Sequence, residues 1–309
     1  MIVKQMMKRT ISFLVGTVWF FSLTTGAFAQ EERIGRIDWV NGYIIGHGIG
    51  FADANMNKRL AQTTSIRAAK VEALRNLLIM IKQIEIDPEN PIQDFIAAEK
   101  DRIIRIDGLV KGARTVSSRT EQMDDSLLAI VEMRVCMSDF AKGCASEKSL
   151  VSALDLKPSR NTQPPPWEMP QEAGRAGRAA KVQPEDIPSR YDPTRPVTGV
   201  VFSLRGLPYK RVMLPVIAVK EGTVLKPVYS IRSVKPDVVR SYGIVRFADT
   251  LDQVKGIGKI GNNYMVVPAI AVTDKNILVI SSKSAHRIDE TTRHGNDYLE
   301  TARVAISAE

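Results

Sequence analysis

Histidine and cysteine are scarce in this chain of 309 residues: His47, His286 and His294 stand far apart or in a weak pair, and only Cys136 and Cys144 carry thiols. A metal centre draws on clusters of such residues, and here no cluster has the spacing for one. His286 and His294 would meet only across a hairpin, and two ligands without a placed carboxylate do not hold a metal. Aromatic residues make up 6% of the chain and no Lys/Arg run is interleaved with them, so the footprint of a nucleic-acid binder is missing. No G-x-S-x-G elbow is present for a hydrolase nucleophile. Ser284, His286 and Asp289 are close in sequence, but a catalytic triad needs a third group oriented from elsewhere, and none is assured. After residue 29 no apolar run is long enough to cross a membrane. The paired acids Asp124-Asp125 and Asp289-Glu290 fall in turn-like sequence, where carboxylates are ordinarily solvated. These gaps lead to the expectation of a non-enzyme with no catalytic, cofactor-binding or metal-binding residues and no cofactor.

What is present is ordinary core-forming material, 44% hydrophobic and 25% charged, in a length that suits two domains. Residues 1–29 combine a basic start at Lys4, Lys8 and Arg9, an apolar run over 11–23, and Ala27-Phe28-Ala29 before Gln30. That pattern predicts a secretory signal peptide cleaved after Ala29, and therefore a periplasmic protein with no transmembrane helix in the mature chain. Gln30 stands where lipidation requires a cysteine. The charge is uneven along the remainder. Residues 30–147 carry 16 Lys and Arg against 18 Asp and Glu, residues 148–195 carry 8 against 6, and residues 196–309 carry 16 against 10. Basicity belongs to the second half, as a solvated face or as an attraction to an anionic envelope surface.

One long helical pattern runs over 57–84. Ile66, Ala69, Ala73, Leu77, Ile81 and Ile84 recur at spacings of three or four and share one side of a helix, while Ser65, Glu72, Arg75 and Lys82 take the other. Ala69 and Ala73 are small enough to let the helix lie close to a sheet. Before it, residues 34–49 are strand-like and end in Gly46-His47-Gly48-Ile49-Gly50, which reads as a bulged strand end or tight turn rather than a phosphate cradle, since no Lys-Ser or Lys-Thr follows. After it come a second helix around Ile92, Phe95, Ile96 and Ile103, and a hairpin over 109–120 and 127–137. In the last strand Ala129, Val131, Met133, Val135 and Met137 alternate toward the core, leaving Cys136 on the outer face. Cys136 and Cys144, eight apart, suit a structural disulfide in an oxidising compartment better than a metal site or a redox pair, which favours C-x-x-C.

Composition then divides the chain into the signal peptide 1–29, an α+β domain 30–147 with one long helix on an antiparallel sheet, a Pro/Gly/Ala-rich linker 148–195 containing Pro164-Pro165-Pro166 and Trp167, and a strand-rich domain 196–309. Strands are predicted over 197–204, 212–219, 243–247, 265–272, 276–280 and 302–307, with short helices near 237–240 and 285–292, in a mixed or barrel-like module. Gly256-Ile257-Gly258-Lys259-Ile260-Gly261 matches G-x-G-x-x-G literally, but a strand-like segment follows where the motif needs a helix, so it reads as a turn.

The run from Arg67 to Leu77, with Ile84-Glu85-Ile86-Asp87 and Val110-Lys111-Gly112-Ala113, resembles the LPP20 lipoprotein family over residues 34–137. That family is similar to the N-terminal domain of flagellar accessory-ring proteins. The run from Thr198 to Leu207 resembles a segment that often follows such domains in bacterial envelope proteins. The resemblance implies a fold and a place in the envelope, not a reaction. The functional expectation is protein–protein assembly in the cell envelope, at a flagellar or outer-membrane structure, with envelope proteins or further copies of the chain as partners and no nucleic acid. The alternatives are a binding module for an anionic envelope component such as peptidoglycan or lipid headgroups, and an enzyme with an unrecognised site.

Overall fold

Strands β1 (Gly35–Asp38) and β2 (Tyr43–Asp53) pair antiparallel and lead into helix α1 (Lys58–Gln83). The computed structural model describes residues 34–53, 55–87, 92–141, 143–144, 148–156, 167–168, 191–293 and 297–309; the predicted signal peptide, most of the Pro-rich stretch and His294 lie outside them. Helix α1 starts where Asn57 caps it, its side-chain oxygen accepting from the Arg59 N–H at 3.0 Å, and stops at Ile84, which turns extended. With no Gly or Pro inside, 26 residues run unbroken for about 39 Å.

The buried stripe of α1 is Ala61, Ser65, Ala69, Ala73, Asn76, Leu77, Met80 and Ile81. Ser65 was expected on the wet face, yet it is fully buried, because from Ala61 to Ala73 the stripe is set by small residues, and only from Leu77 onward by large apolar ones. The cause lies in β2. Gly46, Gly48 and Gly50 all face the helix, and a Cβ at Gly48 would sit 2.0 Å from the Ala69 carbonyl oxygen, one at Gly50 2.1 Å from that of Ser65, and one at Gly46 2.5 Å from that of Ala73. Backbone packs on backbone. The glycine cluster is therefore neither a bulge nor a turn but the middle of a regular eleven-residue strand, with Gly48 opposite Val131 in unbroken register. Asn76 is buried beside it, its Nδ2 donating to the His47 carbonyl at 2.7 Å, which satisfies the one long polar side chain in the stripe.

Helices α2 (Ile92–Ala97) and α3 (Lys100–Lys111) divide what reads as one helix in sequence. Strands β3 (Arg114–Met123) and β4 (Ser126–Cys136) complete a four-stranded antiparallel sheet in the order β1-β2-β4-β3. The alternation in β4 is as expected, with Ala129, Val131, Met133 and Val135 buried under α1. Cys136 does point to the other face, but the following loop folds back and buries it with Cys144 and Ala141. The two cysteines form a disulfide with Cα atoms 6.1 Å apart.

Helix α4 (Leu150–Leu154) falls where the composition turns toward that of a linker, yet Leu150, Val151, Leu154 and the adjoining Leu156 are buried. Strand β5 (Trp167–Glu168) adds to the edge of a second sheet. That sheet contains β6 (Gly199–Ser203), β7 (Ile217–Glu221), β8 (Val224–Tyr229), β9 (Arg246–Ala248), β10 (Tyr264–Val272), β11 (Leu278–Ile280) and β12 (Val304–Ser307). The order is β5-β8-β7-β11-β10-β6-β12-β9. It is an open mixed sheet and not a barrel, with β10, β6, β12 and β9 running parallel. Helices α5 (Pro236–Tyr242), α6 (Leu251–Lys255) and α7 (Ser282–Arg293) complete the lobe. In β6 every residue is buried: Val200 and Phe202 join the main core, and Val201 packs with Val266, Ala305, Leu251 and Val254 on the other face.

The two lobes share one continuous core. The Met213 and Leu214 N–H groups donate to the Glu85 and Ile86 carbonyls at 3.1 and 2.6 Å, the Asp139 N–H donates to Ser241 at 3.1 Å, and Lys210 is ion-paired with Glu85.

Candidate functional site

Where the lobes meet, a cleft of about 300 Å³ opens between the β1–β2 turn, the loop after β4, and the segment from α5 to β9. Four aromatic rings furnish it. Trp39 meets Phe247 edge to face at 5.3 Å between centroids, and Phe140 meets Tyr242 in the same way at 5.0 Å. Each pair has one ring from each lobe, so the cleft exists only when the lobes are docked. Its floor is shaped by Gly243, which ends α5 at φ 68°, a conformation L side chains rarely adopt. The chain can thereby turn at once into Ile244 and Val245, both buried. The Tyr229 hydroxyl donates to the Ile244 carbonyl and holds that turn; burial drives its pKa far above the ordinary phenol value, so it stays a neutral donor.

Two cations border the rings. Arg246 lines the cleft with its guanidinium 4.6 Å from the Phe140 centroid, and Nη1 donates to the Val245 carbonyl at 2.9 Å, but Nε is buried without an acceptor. Lys259 Nζ lies 3.9 Å from the Tyr242 centroid and 5.2 Å from that of Phe140, also buried without a hydrogen-bond partner. Among the described residues neither cation is paired with a carboxylate. Burial pulls Lys259 down to about 8, with the positive charges of Arg246 and Arg303 pushing the same way, and burial lowers Arg246 to about 10. Ring faces supply part of the missing stabilisation. The result is a small positive recess with apolar walls, a setting that concentrates field lines and favours an anion.

The other places singled out in the sequence do not assemble into chemistry. Ser284 and His286 sit on α7, where residues two apart diverge. The Ser284 hydroxyl is buried against Ser281 at 2.9 Å, and His286 Nδ1 lies 3.3 Å from Glu290 in solvent. No group of three or more His, Cys, Asp or Glu side chains suited to a metal occurs among the described residues, and none of their helices is long and apolar enough to cross a membrane. The G-x-G-x-x-G run follows helix α6 instead of opening one, so it is a turn, as expected. It nevertheless borders the cleft, since Gly256, Ile257 and Gly258 line it and Lys259 lies over two of its rings. The residues that sequence reasoning missed are Trp39, Phe140, Tyr242, Arg246 and Lys259. Their signal was faint: a single cation between Val245 and Phe247 in an apolar run.

A second feature is the face of the four-stranded sheet that α1 does not cover. On β2, Ile49 is 50% and Phe51 59% exposed. Their partners across the ladder, Ile130 and Leu128 on β4, are only partly covered. Strand β3 beside them is exposed along almost all its length and is an edge strand, with no further strand on its outer side among the described residues.

Residues 199–308 match the second domain of Treponema pallidum Tp0624. The match takes in every strand from β6 to β12, with Arg246 and Lys259, and leaves Trp39 and Phe140 outside. No curated protein matches the chain.

Proposed function

We propose that this is an exported, periplasmic, non-enzymatic protein whose N-terminal lobe docks to other proteins of the cell envelope, at a flagellar or outer-membrane structure. The observation that carries the reading is the uncovered sheet face with Ile49 and Phe51. Large apolar side chains that neighbour one another on an open face, beside the edge strand of a sheet, are more often a contact surface than a solvent-facing one. The resemblance of residues 34–137 to the LPP20 family supports the same reading. In-cell crosslinking of wild type against an Ile49→Ser/Phe51→Ser double variant tests it, with thermal melting as the folding control. The expected outcome is loss of crosslinked species at unchanged melting temperature. Retention of every crosslink by the folded variant would overturn the assignment of this face.

A further inference from the structure

We propose that the cleft between the lobes is a binding site for a small organic acid, its carboxylate held by Arg246 and its flat apolar body laid against the Trp39/Phe247 and Phe140/Tyr242 ring pairs. This stands apart from the docking reading, which concerns another face. A guanidinium has five N–H donors and no acceptor. That of Arg246 spends Nη1 on the Val245 carbonyl and leaves the edge formed by Nε and Nη2, with Nε–H buried beside a cavity and bonded to nothing. A buried donor without an acceptor is costly, and a buried cation without a counter-ion more so, yet this recess holds Arg246 next to Lys259 with no carboxylate of the described chain paired to either. Ring faces soften that cost but cannot accept at the Nε–H in the plane of the guanidinium.

The missing group is an anion, and its shape follows from the donors. Two parallel N–H bonds on one edge of a planar fork match the two oxygens of a carboxylate. A phosphate would want further donors around its third oxygen, and the Lys259 ammonium is directed at the Tyr242 and Phe140 rings. The cavity of about 300 Å³ is at the lower end for small-ligand sites. It therefore suits an acid with one ring or one branched chain and not a polymer. The lining follows the usual composition of such sites, mostly aromatic and apolar with one placed charge. Because Trp39 and Phe140 come from one lobe and Tyr242, Arg246 and Phe247 from the other, an occupant would also brace the two lobes against each other.

The test uses the full mature chain and three probes of one size: phenylacetate, its uncharged amide, and phenylphosphonate, with 3-methylbutanoate as the branched acid. Binding is read by protein-observed NMR titration and by the shift in melting temperature. The expected result is saturable millimolar or tighter binding of at least one carboxylate, with shifts at Trp39 and Tyr242, and roughly tenfold weaker binding of the amide. Arg246→Gln should abolish it. Should that variant fail to fold, Gly258→Leu serves instead, because a Cβ at Gly258 meets nothing within 4 Å and a larger side chain there fills the cleft without displacing backbone. Absence of binding by both acids at millimolar concentration would overturn the proposal. So would equal binding of the amide, tighter binding of the phosphonate, or persistence of the shifts in folded Gly258→Leu, which would leave Arg246 and Lys259 as cation–ring contacts of the lobe interface only.

Discussion

The two sheets of this protein are built from similar residues but are buried to different depths. The N-terminal sheet has one face under α1 and the other open, so β4 alternates buried and partly exposed residues. The C-terminal sheet is covered on both faces at its centre, so β6 and the first six residues of β10 are buried without interruption. One-sided burial leaves a face free for contacts. Two-sided burial leaves only the margins of the sheet, and the cleft lies at such a margin, where β9 meets the other lobe.

The largest effects should come from charges placed in the sheets. Val200→Asp and Val201→Asp, on opposite faces of β6, should each cost about 4 kcal/mol or more, since both side chains are fully buried. Val131→Asp on the covered face of β4 should cost as much, whereas Ile49→Asp on the open face should stay within about 1 kcal/mol. Urea denaturation measures all four; a mild Val201→Asp or a severe Ile49→Asp would break the comparison. Next come the glycines that seat α1. Gly48→Leu should cost about 3 kcal/mol or more, because the new Cβ would press on backbone at 2.0 Å, and circular-dichroism melting should show the N-terminal lobe lost. Removing the disulfide by Cys136→Ser/Cys144→Ser should cost about 2–3 kcal/mol in the chain-entropy model; intact mass with and without reductant first checks that the bond is formed.

A smaller, signed effect belongs to the cleft. Lys259 titrates near 8 when folded and near 10.4 when unfolded, so between those values the unfolded chain holds more protons. Stability should therefore rise as pH increases from about 8 to about 10, against the fall expected from other groups, and Lys259→Met should remove that component. Denaturation curves of the two proteins across this window check it. The smallest effect should be at Glu72 and Arg75, an exposed pair 3.9 Å apart on α1, whose joint replacement by Ala should change stability by less than about 1 kcal/mol.

Local rules were enough for the elements whose cause is local. The sequence by itself determined α1 to within a residue at each end, because Asn57 caps it and no Gly or Pro interrupts it. It determined the alternation of β4, the spacing that lets Cys136 reach Cys144, and the α+β class with a strand-rich second half. It did not determine which face of α1 is buried, since Ser65 goes inward only because Gly50 is opposite, a partner contributed by another strand. Nor did it mark β8, where Pro227 argues against a strand until the register shift opposite it in β7 is known. The short helix expected around 92–103 is instead two, and the second runs on through Leu109, where a strand was expected, to Lys111 before the strand opens at Arg114. The cleft is the extreme case: Trp39, Phe140, Arg246 and Lys259 are scattered over more than two hundred positions and are unremarkable singly. Only the docking of the lobes brings the Phe140 ring against both cations, because burial and proximity are properties of the folded whole and carry no local pattern.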